Sequence, residues 1–379
     1  MTAGPLSGIR IVEIASLAPA PFGCMLLADL GADVLRVNRM TGSPEVSAPL
    51  GPLDRGRRSV AIDLKSVEGV DAVKRLVRNA DVFVEGFRPG VAERLGIGPN
   101  ALNEVNPRLV YARMTGWGQE GPLASQGGHD INYVAIAGAL EPLGHPGEAP
   151  RPAINLLGDF AGGGSFLAIG ILAALLERER SGLGQVIDAA MIDGASTLLT
   201  FLHTMHAAGQ WSEVPGTNLL DGAASFYETY ETADGKYMAV GAVEPQFYAE
   251  LLRGLELAPV GSFAHLDPAG WPAEKERFVA AFKRKTRDEW TVVFAGLDAC
   301  VTPVLSPWEA HLHPHNIARD GFIEVDGVIQ PAPAPRFSRS VPEAPLPIDA
   351  GGRDPKSTLA GWGLTSDEIT ALLEQGAVA

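Results

Sequence analysis

Three titratable side chains stand where this sequence can do chemistry: His129 in GGHDINYVAIAGAL, Asp159 in NLLGDFAGGG and Glu244 in AVGAVEPQF. His129 follows Gly127 and Gly128, which let a backbone or a ligand come close, and precedes a run of small apolar residues that reads as a packed helix. At the N-terminus of such a helix the dipole disfavours the imidazolium and keeps the ring neutral, as a general base requires. A purely structural histidine is the competing reading, and the commoner one for a lone His. Asp130 reads as the N-cap of the same helix.

Asp159 shortly precedes Gly162, Gly163 and Gly164, which open a helix. Each glycine there is about 1 kcal/mol less favourable than alanine, so the run signals close packing or ligand approach. The Asp159 carboxylate could act as a nucleophile, as a general acid or base, or as a helix cap. Glu244 ends a strand and precedes a helix. Strand C-termini gather α/β-type sites; a helix N-terminal glutamate is the competing reading.

Arg36, Arg39, Arg55, Arg57, Arg58 and Lys65 fall within thirty residues, and Arg88 and Arg94 follow the next strand. Solvated surface is one reading of this cluster; an anionic ligand with several phosphates is the other. His311, His313 and His315 (HLHPH) resemble a metal tract, but no cysteine or carboxylate sits at ligand spacing and Pro314 breaks a shared face. His203 and His206 lie three apart on an apolar helix. No metal site is expected at either place.

The elements that must position these side chains alternate in the first 116 residues. Strands are expected from Ile9 to Ala15, Asp33 to Val37, Val60 to Leu64, Val82 to Val84 and Leu109 to Met114. Helices are expected from Pro19 to Leu30 and, capped by Ser66, to about Asn79, with Val67, Val70, Val73, Leu76 and Val77 on one face. Near-continuous apolar strands separated by helices imply an α/β fold with a parallel sheet covered on both faces. The dinucleotide fingerprint is missing. Gly96-Ile97-Gly98-Pro99-Asn100-Ala101 matches it by letter only, follows no strand, and Pro99 suits the first turn of a helix. Nicotinamide is therefore not expected as a ligand.

A long helix is expected over 163–180, a strand or helix end from Gly184 to Met191, and another helix over 193–210. Strands from Ser225 to Glu231 and from Lys236 to Val243, joined by the hairpin signal Ala233-Asp234-Gly235, open a second part. Helices follow from Pro245 and over 273–285 and 287–296. Residues 330–347 are proline-rich and read as extended, and Thr365-Ser366-Asp367-Glu368 is a capping box for a last helix. The expected organisation is a large domain over 1–190 to which 335–379 returns, a linker helix over 191–224, a smaller α+β domain over 225–320, and a linker over 321–334.

Composition narrows the partners. A hydrophobic content of 46% supports a real core, and a net charge of −15 opposes nucleic acid and anionic membranes. Two distant cysteines, Cys24 and Cys300, build no disulfide framework, which favours a reducing compartment. The N-terminus lacks the pattern of a signal peptide, and the C-terminal GAVA carries no peroxisomal address. The longest apolar stretch, Phe166 to Leu176, is too short to span a bilayer. A cytoplasmic location is expected.

The segments GIRIVEIASLAPAPF, LADLGADVLRVNR, AIDLK, GHDINY, NLLGDFAGGG, GLGQVIDAAMIDG, NLLDGAASFYETYETADG, AVGAVEPQFY and DACVTPVL together carry a specific resemblance. The chain resembles the family III CoA-transferase (CaiB/BaiF) superfamily and, within it, the α-methylacyl-CoA racemases. The resemblance covers nearly the whole chain and is weakest after about residue 340. It implies a Rossmann-like large domain without the glycine fingerprint, a smaller domain, and a ring-like subunit that interlocks with a second copy. The implied substrate is an acyl-CoA, with no metal or redox cofactor. The resemblance assigns His129 and Asp159 as the two acid/base groups, with Glu244 reaching in from the partner chain. It maps CoA contacts onto Arg39, onto Ala61, Ile62, Asp63, Leu64 and Lys65, onto Gly86, Phe87 and Arg88, and onto Gly128, Asp130, Ile131 and Asn132. Asn38 and Met40 depart from the residues common beside Arg39.

The implied reaction is racemisation at C2 of a 2-methylacyl thioester. One group removes the C2 proton from one face and another returns a proton on the opposite face, through an enolate stabilised by aligned donors. The helix N-termini after His129 and after Asp159 are the expected donor sources, and Glu244 could fix the tautomer of His129. The alternative is acyl-CoA:carboxylate CoA transfer, with Asp159 as nucleophile forming a mixed anhydride. Family transferases commonly carry an aromatic residue where this chain has His129, which favours the racemase. A silent acyl-CoA-binding protein is a third reading, opposed by the presence of all three side chains.

Overall fold

Short apolar runs rich in Val and Ile, separated by helix-length segments, form a parallel sheet because each crossover returns the chain to the same end of the sheet. The computed structural model describes residues 4–40, 50–261, 263–347, 349 and 354–379. The chain divides into two compact units: Met1–Ala139, Ala153–Leu199 and Arg319–Ala379 in one, and Leu140–Pro152 and Thr200–Ala318 in the other.

The first unit begins β1 (Arg10–Ile14), α1 (Pro19–Asp29), β2 (Asp33–Arg39), β3 (Arg57–Ile62), α2 (Val67–Arg78) and β4 (Val82–Glu85). It continues with α3 (Val91–Arg94), α4 (Pro99–Val105), β5 (Val110–Thr115) and α5 (Asp130–Ile136). A π-helical segment (Leu156–Ser165) then runs directly into α6 (Phe166–Ser181), followed by β6 (Val186–Ala190) and α7 (Met191–Leu198). Among the described residues the sheet has the order β3-β2-β1-β4-β5-β6, every pairing parallel. The order reverses between β1 and β4, and in such sheets the crevice beyond the strand C-termini at the reversal is where ligands bind.

Each face of the sheet has its own core. Val12, Ile14, Leu35, Val60, Ile62, Phe83 and Tyr111 pack against α2 and residues near the C-terminus, among them Leu359, Trp362 and Ile369. On the opposite face Ile11, Val34, Val82, Val84, Val110 and Ala112 pack with Cys24 and Leu27 of α1 and Leu167 and Ile171 of α6. Local signals placed several elements correctly. Ser66 accepts the N–H of Gly69 as the cap of α2, and Pro99 takes the first turn of α4.

The long helix differs from its expectation. The helical run is continuous from Leu156 to Ser181, 26 residues apolar enough by length and composition to cross a membrane. The sequence reading stopped short because the glycines looked like a helix opening. In the fold they are closely packed: an added Cβ would come within 2.6 Å of the Ala195 nitrogen at Gly162 and 2.5 Å of the Pro19 oxygen at Gly164. Only glycine lets α1 and α7 approach the segment so closely, and this helix packs against those neighbours, β5 and β6.

The arginine cluster is also reassigned. Nη1 of Arg57, a residue 2% exposed, donates to both carboxylate oxygens of the buried Glu13, at 2.7 and 2.9 Å. Arg55 pairs with Asp29 at 2.6 Å, and Arg36 pairs with Asp54. Buried guanidinium groups require such partners, so these three arginines are structural, while Arg39 and Lys65 remain exposed. Residues 321–334, read as a linker, contain an antiparallel hairpin, β10 (Phe322–Val325) and β11 (Val328–Pro331). Beyond it α13 (Pro355–Gly361) and α14 (Ser366–Glu374) follow, the latter with the expected Thr365/Glu368 capping box. The last residues pair with the sheet edge: Ala61 N–H donates to the Ala379 oxygen at 3.1 Å, and Asp63 N–H to Ala377 at 3.0 Å.

In the second unit the helix expected over 193–210 is broken, since α7 stops at Leu198 in the first unit and α8 (Thr200–Ala207) belongs here. The antiparallel sheet is β7 (Tyr227–Glu231), β8 (Tyr237–Gly241) and β9 (Val301–Pro303), with α9 (Pro245–Gly254), α10 (Trp271–Phe282), α11 (Arg287–Phe294) and α12 (Pro314–Ala318). Its core is aromatic, including Phe226, Tyr230, Phe278, Phe282 and Trp290.

Candidate active site

His129 is itself the N-cap residue of α5, in extended conformation, and Asp130 is the first helical residue. This corrects the expectation that Asp130 caps the helix. The cap arises from Asn132, whose Oδ1 accepts the His129 N–H at 3.1 Å. Among the described residues the imidazole makes no capping bond, and His129 is exposed.

The freed Asp130 carboxylate turns to a segment 28 residues away. Its Oδ1 accepts the backbone N–H groups of Gly158 at 2.6 Å and Asp159 at 2.8 Å, and the residue is only 5% exposed. The first N–H groups of a helix lack intrahelical partners, and Asp130 satisfies two of them from outside. Gly158 must be glycine, because a Cβ would lie 2.6 Å from that same Oδ1. Asp159 consequently does not begin a helix; it lies inside the π segment, whose N-cap is Asn155. The helix start expected after Asp159 is therefore absent, and the amides of Gly158 and Asp159 are already engaged. Of the two expected donor sources that leaves the first turn of α5, where the Asn132 and Tyr133 amides donate to the His129 carbonyl at 2.8 and 3.3 Å.

Asp159 is half-buried, and its Oδ2 accepts Nδ2 of Asn155 at 3.2 Å. Burial raises its pKa above the usual carboxylate range; the Asn155 hydrogen bond opposes this, the Asp130 charge adds to it, and charge on His129 lowers it. The last contribution places His129 within electrostatic reach of Asp159. A carboxyl raised toward neutrality is better matched to proton transfer than an ordinary aspartate.

Tyr133, not singled out in the sequence, lies next to these residues. Its hydroxyl donates to the Gly128 carbonyl, and its ring meets Trp117 edge-on at 4.8 Å. Burial pushes its pKa up to about 12, with the Asp159 charge adding and Arg88 opposing. Gly128 makes room for this ring, since a Cβ there would lie 2.7 Å from Tyr133 Cε1. That glycine thus serves packing, whereas Gly127 lies beside the Arg88 guanidinium. The first signal for Tyr133 was its helical spacing from His129, four residues on, which puts it over the same turn.

The residues expected to contact CoA separate into groups. Arg39 ends β2, Asp63, Leu64 and Lys65 follow β3, and Gly86, Phe87 and Arg88 follow β4; parallel pairing brings these to the C-terminal end of the sheet. Ile62 is 1% exposed in the core, and the amides of Ala61 and Asp63 are occupied by the C-terminal residues. Ile131 and Asn132 are exposed on the first turn of α5, and Asp130 is buried beneath them. Glu244 lies in the second unit as the exposed N-cap residue of α9, with Pro245 next, and among the described residues its side chain makes no capping bond. His203 and His206 lie on α8, where His206 Nε2 is 3.2 Å from Glu213. His311 lies within a short 3₁₀ turn, His313 follows it, and His315 is in α12. Among the described residues no group of three or more potential metal ligands is assembled.

A model of CoA-transferase family III matches residues 6–356. The chain belongs to this family. A Mus musculus protein named alpha-methylacyl-CoA racemase is 47% identical over 371 residues, 97% of this chain and 96% of the mouse protein. The Homo sapiens protein of the same name is 47% identical over 331 residues, 87% of this chain and 86% of its own length. A crystal structure of a CAIB/BAIF family protein from Brucella suis matches with a TM-score of 0.80 at 27% identity, covering 95% of this chain and 99% of that one. The six-stranded parallel sheet described above is accordingly the α/β fold of family III.

Proposed function

We propose that the protein is an isomerase that interconverts the two configurations at C2 of 2-methylacyl-CoA thioesters. The observation that carries this reading is the tie between the two acid/base residues: Asp130, next to His129 in sequence, holds the backbone of Asp159. The 47% identity to proteins named alpha-methylacyl-CoA racemase supports the same substrate class.

In this reading one of His129 and Asp159 takes the C2 proton while the other delivers a proton to the opposite face. The electron pair left by the first C–H bond moves onto the thioester oxygen and returns as the second C–H bond forms. Each positioned acid or base contributes roughly 10²–10⁴-fold. Each donor to the enolate oxygen is worth about 2.7–4 kcal/mol, and the first turn of α5 supplies such donors at its positive dipole end. Arg88, Arg39 and Lys65, with the turn Gly86–Phe87, hold the CoA moiety, and its binding energy offsets the cost of ordering the acyl chain. The active protein is a homodimer in which Glu244 of the second copy approaches His129 and fixes its tautomer. The enzyme works in the cytoplasm.

The test is incubation of one enantiomer of a 2-methylacyl-CoA in D₂O, with C2 followed by NMR. Deuterium at C2 and loss of optical purity without any acceptor are expected. No exchange at C2, together with CoA appearing on an added carboxylate, would replace this reading by transfer through Asp159 as nucleophile.

A further inference from the structure

Glu85 ends β4 and is fully buried, yet proton transfer at C2 has no use for it. Its Oε2 accepts the backbone N–H of Phe87 at 2.6 Å, and its Oε1 accepts Nε of Arg113 at 3.0 Å. Arg113, on β5, also donates to both carboxylate oxygens of Glu93 in α3, at 2.8 and 3.3 Å. One guanidinium therefore fastens both ends of the turn between β4 and α3, which contains Gly86, Phe87 and Arg88. We propose that Glu85 is a positioning residue for acyl-CoA: its carboxylate, through the Phe87 N–H and Arg113, sets the course of the turn Gly86–Arg88 that holds the CoA moiety. This rests on the reading of that turn as a CoA contact given above.

The geometry makes the hold sensitive to pH. Burial raises the Glu85 carboxyl to about 7, against the opposing Phe87 N–H and Arg113 and with the help of Glu93. The groups facing it are Arg113 and Tyr111 from β5, Glu93 from α3 and the Phe87 amide of its own turn. On the neighbouring β1, Val12 and Ile14 face this same side of the sheet and are apolar. Above the midpoint the carboxylate is ionised at the cost of its burial, which the Phe87 N–H and Arg113 offset only in part. Below it the neutral acid escapes that cost, so the ordered turn gains stability over any opened form in which Glu85 is solvated and titrates at its ordinary value.

The test measures KM for a 2-methylacyl-CoA and hydrogen exchange of the stretch 83–90, corrected for intrinsic rates, across pH 6–8. The wild type is expected to lower KM up to about tenfold from pH 8 to pH 6, as one group titrating near 7 gives, with Phe87 gaining protection in parallel. Glu85→Gln is expected to hold KM near the acidic value at every pH. Glu93→Gln, at a half-exposed site, removes a charge that raises the Glu85 acid, so it should move the midpoint to lower pH. That variant decides the matter if Glu85→Gln does not fold. An unmoved midpoint in Glu93→Gln, or a wild-type pH profile in Glu85→Gln, overturns the assignment. Arg88→Ala tests the turn separately: an unchanged KM there counts against the CoA reading, whereas exchange at Phe87 still reports on Glu85 without ligand.

Discussion

The Asp130 carboxylate accepts the backbone N–H of Asp159 at 2.8 Å, so the residue that follows one proposed base holds the main chain of the other. The separation of the two proposed catalytic groups is thereby tied to the backbone rather than left to flexible side chains. A carboxylate that accepts two amide bonds at a helix start also takes the favourable end of the helix dipole.

Replacing Asp130 by Ala should leave two buried amides unsatisfied and cost about 2–4 kcal/mol of stability, at about 1–3 kcal/mol for each group partly relieved by water. Asp130→Asn keeps one acceptor and should cost less. In both variants kcat for C2 exchange should fall about 10-fold or more, because small misplacements of catalytic groups carry such penalties. Urea unfolding and NMR exchange in D₂O read the two effects; full kcat in Asp130→Ala would show that the tie has no catalytic role.

His129→Ala should lower C2 exchange by about 10²–10⁴-fold, the contribution of a positioned acid or base. CoA affinity, measured by calorimetry, should stay nearly intact, since the contacts proposed for CoA lie mainly on the strand-end turns. A large loss of CoA binding would contradict the role assigned to this residue.

Asp159→Asn should abolish exchange by a similar factor and yet stabilise the fold at neutral pH. The folded-state pKa of Asp159 is raised, chiefly by burial. Such a carboxyl stabilises the fold while protonated, and this contribution is complete below its unfolded pKa and lost as pH rises through the folded value. The variant escapes that loss, so its Tm should exceed the wild type's at pH 7 and the difference should shrink in acid. Equal Tm shifts at pH 7 and in acid would reject burial of the charge as the cause.

Glu13→Gln should destabilise the protein by about 3–5 kcal/mol, because Arg57 then loses its buried counter-charge and keeps the Leu53 carbonyl and Asp54, the latter at 3.2 Å. Exchange of both Glu13 and Arg57 for apolar residues of similar volume should recover much of the loss. A denaturation series on the single and double variants separates the two outcomes.

Gly164→Ala should cost about 1–3 kcal/mol by overpacking, since the new Cβ would sit 2.5 Å from the Pro19 oxygen of α1. The midpoint of urea unfolding checks this. An unchanged midpoint would mean that α1 and the π segment separate freely.

Much of the fold was legible as local chemistry. The Val-rich strands, the Ser66 cap, Pro99 at a helix start, the Thr365 box and the Ala233–Gly235 hairpin each depend on residues within a few positions of one another, and a linear reading captures such relations. His129, Asp159 and Glu244 stood out for the same reason, as titratable groups at the borders of apolar elements.

Only the tertiary structure decided which partners those residues take. Asp130 was read as a cap for its own helix because the sequence offers no cue that Gly158 and Asp159, 28 positions later, present unsatisfied amides to it. The arginines from 36 to 57 looked like a ligand site until Glu13, Asp29 and Asp54 closed around three of them, since a buried charge must find its counter-charge wherever the chain happens to return. The three glycines announced that something comes close to the helix; that it is the backbones at Pro19 and Ala195 follows only from packing. Types and spacings fix what a residue is able to do, whereas the low dielectric and crowding of the folded interior select which of those capacities is used.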